Sequence, residues 1–102
     1  MICVIATIQV AAGRRDDFLT LFRALVPKVQ AEDGCVEYGP TVDVETNFEV
    51  QIPVRPNVVT VVEKWESVEA LERHLIAPHM VEFRESAKQL VENLSLQVVE
   101  PA

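Results

Sequence analysis

The chain has 102 residues, enough for one domain with a single hydrophobic core. With 49% hydrophobic and 25% charged residues, its composition is that of a globular protein and excludes an intrinsically disordered chain. The 16 acidic and 9 basic residues give a net charge of −7, which disfavours nucleic acid and anionic membranes as partners, because both are bound through Lys and Arg.

Features of targeting and metal binding are missing from the sequence. No apolar run approaches the length of a membrane span, and Met1 leads directly into a strand-like run rather than into a basic stretch with a cleavage site. Cys3 and Cys35 cannot build a disulfide framework and show no metal-ligand spacing, so both are interpreted as small core residues. A cytoplasmic location is therefore expected.

The first two predicted elements are a strand and an amphipathic helix. Residues Ile2 to Val10 are rich in β-branched side chains and predict a strand with apolar residues on both faces. After a turn at Gly13, a helix is predicted from Arg14 to Glu32, with Gly34 as its C-terminal stop. The apolar face of this helix contains Phe18, Leu21, Phe22, Leu25 and Val29.

Two further strands flank an extended arm. The second strand is predicted from Cys35 to Val42, with a disturbance at Gly39-Pro40. Residues 43–57 alternate apolar with polar or proline positions, and their prolines confine them to the edge of a sheet. The third strand, Val58 to Trp65, again has apolar residues on both faces.

The C-terminal part completes a βαββαβ order. Ser67 caps a helix over Val68 to Ile76, a further helix is predicted from His79 to Leu94, and Leu96 to Glu100 is a closing strand. This order, with its second helix split, predicts an α+β ferredoxin-like fold with an antiparallel sheet. Because one sheet face would lack a covering layer, the apolar residues on both faces predict a homodimer packed through its sheet faces.

The segment from Glu63 to Met80, EKWESVEALERHLIAPHM, resembles the antibiotic biosynthesis monooxygenase family. The similarity lies in Glu63-Lys64-Trp65 at the end of a strand, in His74 on the next helix, and in Pro78-His79 at the start of the helix after it. The run from Ala31 to Tyr38 is also similar, so the resemblance covers nearly the whole chain.

The resemblance implies a dimeric α+β barrel with a pocket in each subunit between the sheet and the helices. It also implies oxidation of a quinol-like or polycyclic phenolic aromatic by O2, with no flavin, haem or metal cofactor. A deprotonated phenol can itself reduce O2, so the protein needs only an apolar cavity, a base and a means of orienting the ring. The arm, Phe48 to Asn57, makes this chain longer than the compact members of the family. It is expected to swap onto the partner subunit or to form a rim over the pocket.

Three residues are candidate catalytic groups under this resemblance. Trp65 would stack on the substrate ring, its alternative role being that of an ordinary core aromatic. His74 would accept the phenolic proton, its alternative being a half-exposed surface histidine. Tyr38 would hold a substrate oxygen, or else anchor the core with its hydroxyl at the surface.

Five further residues are candidate substrate contacts. Glu63 shares a strand face with Trp65 and would act as a base if that face is the pocket, or else pair with a basic side chain. His79 would line the pocket mouth or occupy the first turn of a helix, and its spacing of five from His74 does not favour a zinc site. The candidates for the apolar cavity wall, which would otherwise be core residues, are Phe22, Met80 and Phe83.

Other functions fit parts of this pattern. Relatives with this fold bind or degrade haem through an asparagine on the first strand together with a tryptophan and a histidine. The polar residues of this first strand are Thr7 and Gln9, which does not favour haem. A non-catalytic dimer that binds a small molecule remains open, as does rearrangement of a small sugar-derived metabolite.

Overall fold

The computed structural model describes residues 1–102 as one sheet of four strands with three helices. The elements are, in chain order, β1 (Ile2–Val10), α1 (Arg15–Gln30), β2 (Cys35–Thr41), β3 (Val58–Trp65), α2 (Val68–Leu75), α3 (Pro78–Ala87) and β4 (Val91–Val99). All strand pairs are antiparallel, in the order β2-β3-β1-β4. The predicted α+β ferredoxin-like fold with a split second helix is thus confirmed. None of the helices has the length and apolar character needed to span a membrane.

The predicted boundary between the last helix and the last strand is wrong. Helix α3 ends at Ala87 rather than at Leu94. After a turn at Leu90, residues 91–99 pair with β1 along almost its whole length. This pairing satisfies the backbone hydrogen bonds of the segment and outweighs the helical spacing of its apolar residues. Leu90 is buried in the turn, whereas Leu94 is 59% exposed.

The core lies between the helices and one face of the sheet. Side chains alternate across a strand, and every second residue of β1 from Ile2 to Val10 is buried on this face. Helix α1 packs on it through the predicted stripe, except that Leu21 is only partly buried and Leu19 is buried instead. The buried residues of α1 are Phe18, Leu19, Phe22, Leu25 and Val29.

Two apolar surfaces are left without cover within the chain. On the outer face of the sheet, Ile5 is 37% exposed and pairs with the half-buried Val62. On the helix side, the helices do not extend over β4, so its inward-facing residues are exposed although they pair with buried residues of β1. These exposed residues of β4 are Leu94, Leu96 and Val98.

The segment predicted as an extended arm is an irregular loop with no strand pairing. Its base is closed by Asp43, which accepts hydrogen bonds from Nε and from the backbone N–H of Arg55, both at 2.9 Å. The apolar side chains of the loop point into solvent: Val44, Phe48, Val50 and Ile52. Strand β2 itself runs through Gly39-Pro40 without a break, because an edge strand tolerates a missing donor, and the irregularity lies between Cys35 and Glu37 instead.

A tight turn brings the end of α1 against α2. Gly34 has a φ of +85°, and a Cβ atom there would lie 2.6 Å from Cβ of Ala70. The Gly34 carbonyl accepts a hydrogen bond of 2.8 Å from the backbone N–H of Glu66. The absence of a side chain at residue 34 therefore lets Glu32, two residues earlier, reach α2.

Candidate active site

An apolar cavity of about 300 Å³ lies between the helices and the sheet. Ala6 and Ile8 of β1 contribute to it from the sheet, and aromatic rings of α1 and α3 contribute from the helices. Most lining residues are hydrophobic, which is typical of a site for a small apolar molecule. The charged or titratable residues among them are Tyr38, Glu63, His74, Arg84 and Lys88.

Six of the eight predicted site residues line this cavity: Tyr38, Glu63, His74, Phe22, Met80 and Phe83. The other two do not. Trp65 is 0% exposed and lies behind the wall, so it presents no ring surface on which a ligand could stack. His79 lies beside a separate depression between α1 and α3, and therefore does not reach the cavity mouth.

The imidazole of His74 is held among three neighbours. Ser67 caps α2 by accepting a hydrogen bond from Ala70 N–H, and His74 lies in the last turn of this helix. Its ring centroid lies 4.6 Å from that of Trp65 and 5.4 Å from that of Tyr38. Its Nδ1 atom lies 2.9 Å from Oε2 of Glu32. This packing leaves His74 only 2% exposed.

The second ring nitrogen of His74 is directed at the cavity. Nε2 makes no hydrogen bond within the chain, yet no buried side-chain nitrogen or oxygen lacks a partner. Nε2 therefore has accessible surface, and the accessible space that His74 lines is the cavity. Burial lowers the pKa of His74, although Glu32 opposes this shift, so the ring is neutral at pH 7. With Nδ1–H donating to Glu32, Nε2 carries a free lone pair.

Glu32 is a further candidate residue beside the cavity, and the sequence does not reveal it. Its Oε2 atom lies 2.7 Å from Nε2 of His79 as well as 2.9 Å from Nδ1 of His74. The side chain is 13% exposed. Because 42 residues separate Glu32 from His74, no spacing in the sequence signals the contact. Arg84 was also missed; its guanidinium donates a hydrogen bond to the Leu75 carbonyl at the cavity wall.

Glu63 and Tyr38 face each other across the β2–β3 pair. Oε1 of Glu63 accepts a hydrogen bond of 2.9 Å from Nε1–H of Trp65. Burial raises the pKa of Glu63 to about 7, so the carboxyl is about half ionised at neutral pH. Burial, followed by the charge of Glu63, raises the pKa of Tyr38, which keeps its phenol protonated as a hydrogen-bond donor.

Together these groups give the cavity a definite chemical capacity. A neutral imidazole and a carboxyl that titrates near neutral pH can each accept a proton from a bound phenol. Tyr38 can donate a hydrogen bond to an oxygen of the same ligand. No set of three or more His, Cys, Asp or Glu side chains is arranged to hold a metal ion.

Comparison with known proteins identifies a family for the chain and similar proteins of known sequence or structure. The model of the antibiotic biosynthesis monooxygenase family matches residues 1–86. The chain is 35% identical to "Probable quinol monooxygenase YgiN" of Escherichia coli (strain K12), over 99% of this chain and 98% of that protein. It is similar in structure to PA3566 from Pseudomonas aeruginosa, with a TM-score of 0.80 and 27% identity over 99% of this chain and 93% of that one.

A likeness at lower identity supports the fold. Rv0793 from Mycobacterium tuberculosis has a TM-score of 0.80 at 22% identity, over 99% of this chain and 94% of that one. The family model covers most of the chain, and the similarity to YgiN covers nearly all of it. The chain therefore belongs to the antibiotic biosynthesis monooxygenase family.

Proposed function

We propose that this chain is a cofactor-independent monooxygenase that oxidises a quinol-like or polycyclic phenolic aromatic with O2. The observation that carries the proposal is an apolar cavity of about 300 Å³ lined by His74, whose Nδ1 lies against Glu32 and whose Nε2 makes no hydrogen bond within the chain. Family membership and the similarity to a probable quinol monooxygenase support the same class of substrate.

The proposed reaction needs no external reductant. Nε2 of His74 accepts a phenolic proton, and the resulting phenolate transfers an electron to O2. For a quinol with an unsubstituted ring carbon, the products are a hydroxyquinone and water. One atom of O2 enters the ring, and the other leaves as water with the two hydrogens that the quinol loses. The quinol gives up four electrons in total, which reduce both oxygen atoms.

The remaining cavity residues orient the ring and stabilise its charge. Phe22 and Phe83, whose ring centroids lie 5.6 Å apart at an interplanar angle of 82°, form a corner against which a flat ring can pack. Tyr38 donates a hydrogen bond to a substrate oxygen. The positive charge of Arg84 favours the phenolate over the phenol. Trp65 supports His74 from behind rather than stacking on the substrate.

Oxygen uptake with menadiol, under an atmosphere of 18O2 and with chelator-treated protein, tests the proposal. Uncatalysed oxidation of menadiol gives menadione and hydrogen peroxide, whereas the proposed reaction gives a hydroxylated naphthoquinone containing one 18O atom. We expect saturable formation of the labelled product, lowered at least about 100-fold in His74→Gln. Glu72→Gln, an exposed residue of the same helix, is the control. Absence of labelled product across a panel of quinols would reject the function.

We also propose that the outer sheet faces of two copies pack together as a homodimer. Ile5, 37% exposed, lies on this face and pairs with Val62, which gives the face an apolar centre. Light scattering should show a dimer that Ile5→Asp converts to a monomer. Val81→Asp, at an apolar residue of α3 that is 55% exposed, should leave the dimer intact. A dimer that survives Ile5→Asp but not Val98→Asp would place the interface along β4 instead.

A further inference from the structure

We propose that Glu32 is the positioning residue of His74 and that His79 tunes this interaction from the side of Glu32 away from the cavity. The role of His74 as the base rests on the proposed function, but the interaction itself does not. Glu32 follows α1, His74 belongs to α2 and His79 to α3, so the three side chains meet where all three helices approach one another.

The geometry makes Glu32 Oε2 a shared acceptor. Nδ1 of His74 and Nε2 of His79 both lie within hydrogen-bond distance of this single oxygen, at 2.9 and 2.7 Å. A carboxylate only accepts, so each histidine must place its proton on the nitrogen that faces Glu32. For His74 this fixes the Nδ1–H tautomer, which leaves the Nε2 lone pair towards the cavity.

The two histidines are not equivalent partners. His74 is 2% exposed and lines the cavity, whereas the side chain of His79 is 23% exposed and lies outside it. A hydrogen bond and a negative charge from Glu32 both favour a proton on His74. His79 competes for the same oxygen, and its own positive charge, when present, opposes protonation of His74.

Groups from every neighbouring element act on the titration of His74. Glu32 favours the charged ring, whereas burial, His79 and Arg84 favour the neutral ring. Trp65 and Tyr38 pack against the ring from β3 and β2 and contribute to its burial. The groups around His74 are Glu32, Tyr38, Trp65, His79 and Arg84, and Glu63 lines the same cavity.

This arrangement predicts shifts of opposite sign from two substitutions. Glu32→Gln removes the negative charge and should lower the pKa of His74 further. His79→Ala removes the competing donor and should raise the pKa of His74 by a smaller amount. A merely structural role for these residues would give no such opposition, because loosening the site would move His74 towards solvent in both variants.

Nitrogen-15 NMR of the two histidine rings is the direct test, because the chain contains only these two. At high pH we expect His74 in the Nδ1–H tautomer, and in Glu32→Ala a shift towards Nε2–H. Asp33→Asn removes the neighbouring carboxylate, which makes no hydrogen bond to His74, and should leave the His74 signals in place. An Nε2–H tautomer in the unmodified chain, or an unchanged His74 in both Glu32 variants, would overturn the proposal.

Activity measurements then separate this inference from the proposed function. If the chain oxidises quinols, kcat/KM in Glu32→Ala should fall about tenfold or more. In the Nε2–H tautomer, the nitrogen of His74 that faces the substrate has no lone pair with which to accept a proton. If no quinol is oxidised but the tautomer and the two opposite shifts are observed, Glu32 positions His74 for another reaction. If quinols are oxidised and the NMR signals do not change, Glu32 has no positioning role.

Discussion

Trp65 and Glu63 form a buried pair on one face of β3, in which the indole Nε1–H donates a 2.9 Å hydrogen bond to Oε1 of the carboxyl. Trp65 has no surface in the cavity, whereas Glu63 lines it. The hydrogen bond lowers the pKa of Glu63 and partly offsets the larger effect of burial, which raises it to about 7. Trp65, which no ligand can touch, therefore influences the charge of Glu63, which a ligand in the cavity can touch.

Replacing the indole should change both stability and titration. Trp65→Phe removes the donor and leaves a void, which should cost about 3 kcal/mol of unfolding free energy. The pKa of Glu63 should rise further, because the hydrogen bond that favours its ionised form is lost. Urea denaturation measures the first effect, and carboxyl 13C NMR measures the second. An unchanged pKa of Glu63 would show that the hydrogen bond does not act on its charge.

Glu63 should make folding stability depend on pH. Its pKa is about 7 in the folded chain and 4.5 ordinarily, so the folded state binds more protons between these values. The stabilising contribution of Glu63 to the free energy of unfolding is therefore fully present below pH 4.5 and is lost as the pH rises through 7. In Glu63→Gln the titrating carboxyl is absent, so stability is not lost in this way as the pH rises. The glutamine oxygen still accepts a hydrogen bond from Trp65.

Denaturation of Glu63→Gln and of the unmodified chain at low and high pH measures the effect. The stability difference in favour of the variant should grow by about 3 kcal/mol between pH 4 and pH 9. Glu66→Gln, at an exposed carboxylate just after β3, is the control and should show a small change with pH. A constant difference for Glu63→Gln would mean that its carboxyl titrates normally.

The acid side of the pH–rate profile should identify the base. A base must be unprotonated to act, so kcat/KM falls as the pH drops through its pKa. Burial lowers the pKa of His74 from its ordinary value of 6.5, so a limb below 6.5 indicates His74. A limb near 7 that disappears in Glu63→Gln would assign the role to Glu63 instead. We expect the lower limb, and its loss in His74→Gln.

Filling the cavity should weaken ligand binding without weakening the fold. Ala6→Val adds two methyl groups at a buried residue of β1 that lines the cavity, and a β-branched side chain suits a central strand. We expect the affinity for menadione, measured by calorimetry, to fall about tenfold. Unfolding free energy should stay constant or rise by about 1 kcal/mol. Thr7→Val, on the opposite sheet face, should bind normally; equal losses in both variants would contradict the location of the site.

Strands β1 and β3 could be predicted to their end residues because their runs of β-branched side chains are bounded by clear breaks. The segment after Ala87 could not, because its apolar residues fit a helix and a strand equally well. Only pairing with β1, some 90 residues earlier in the chain, decides between them. The local sequence pattern therefore predicts a strand or helix correctly where it fits only one of the two structures. Where it fits both, the long-range pairing decides.

The candidate site could likewise be predicted from the sequence only in part. Residue type and family resemblance identify Tyr38, Glu63 and His74, which do line one cavity. They do not reveal that Trp65 lies behind that cavity, because its burial depends on the packing of its ring against His74, a residue of the next helix. The contact between Glu32 and His74 depends on how α1 ends and where α2 packs, which no spacing in the sequence encodes.

Gly34 sets the distance between the end of α1 and α2, and thereby the contact between Glu32 and His74, without touching either side chain of that pair. Gly34 meets Ala70, and one helical turn further along α2 Glu32 meets His74. Any side chain at residue 34 would separate α2 from the end of α1 and lengthen the distance from carboxylate to imidazole. A larger residue at this position would therefore leave His74 to be oriented by some contact other than Glu32.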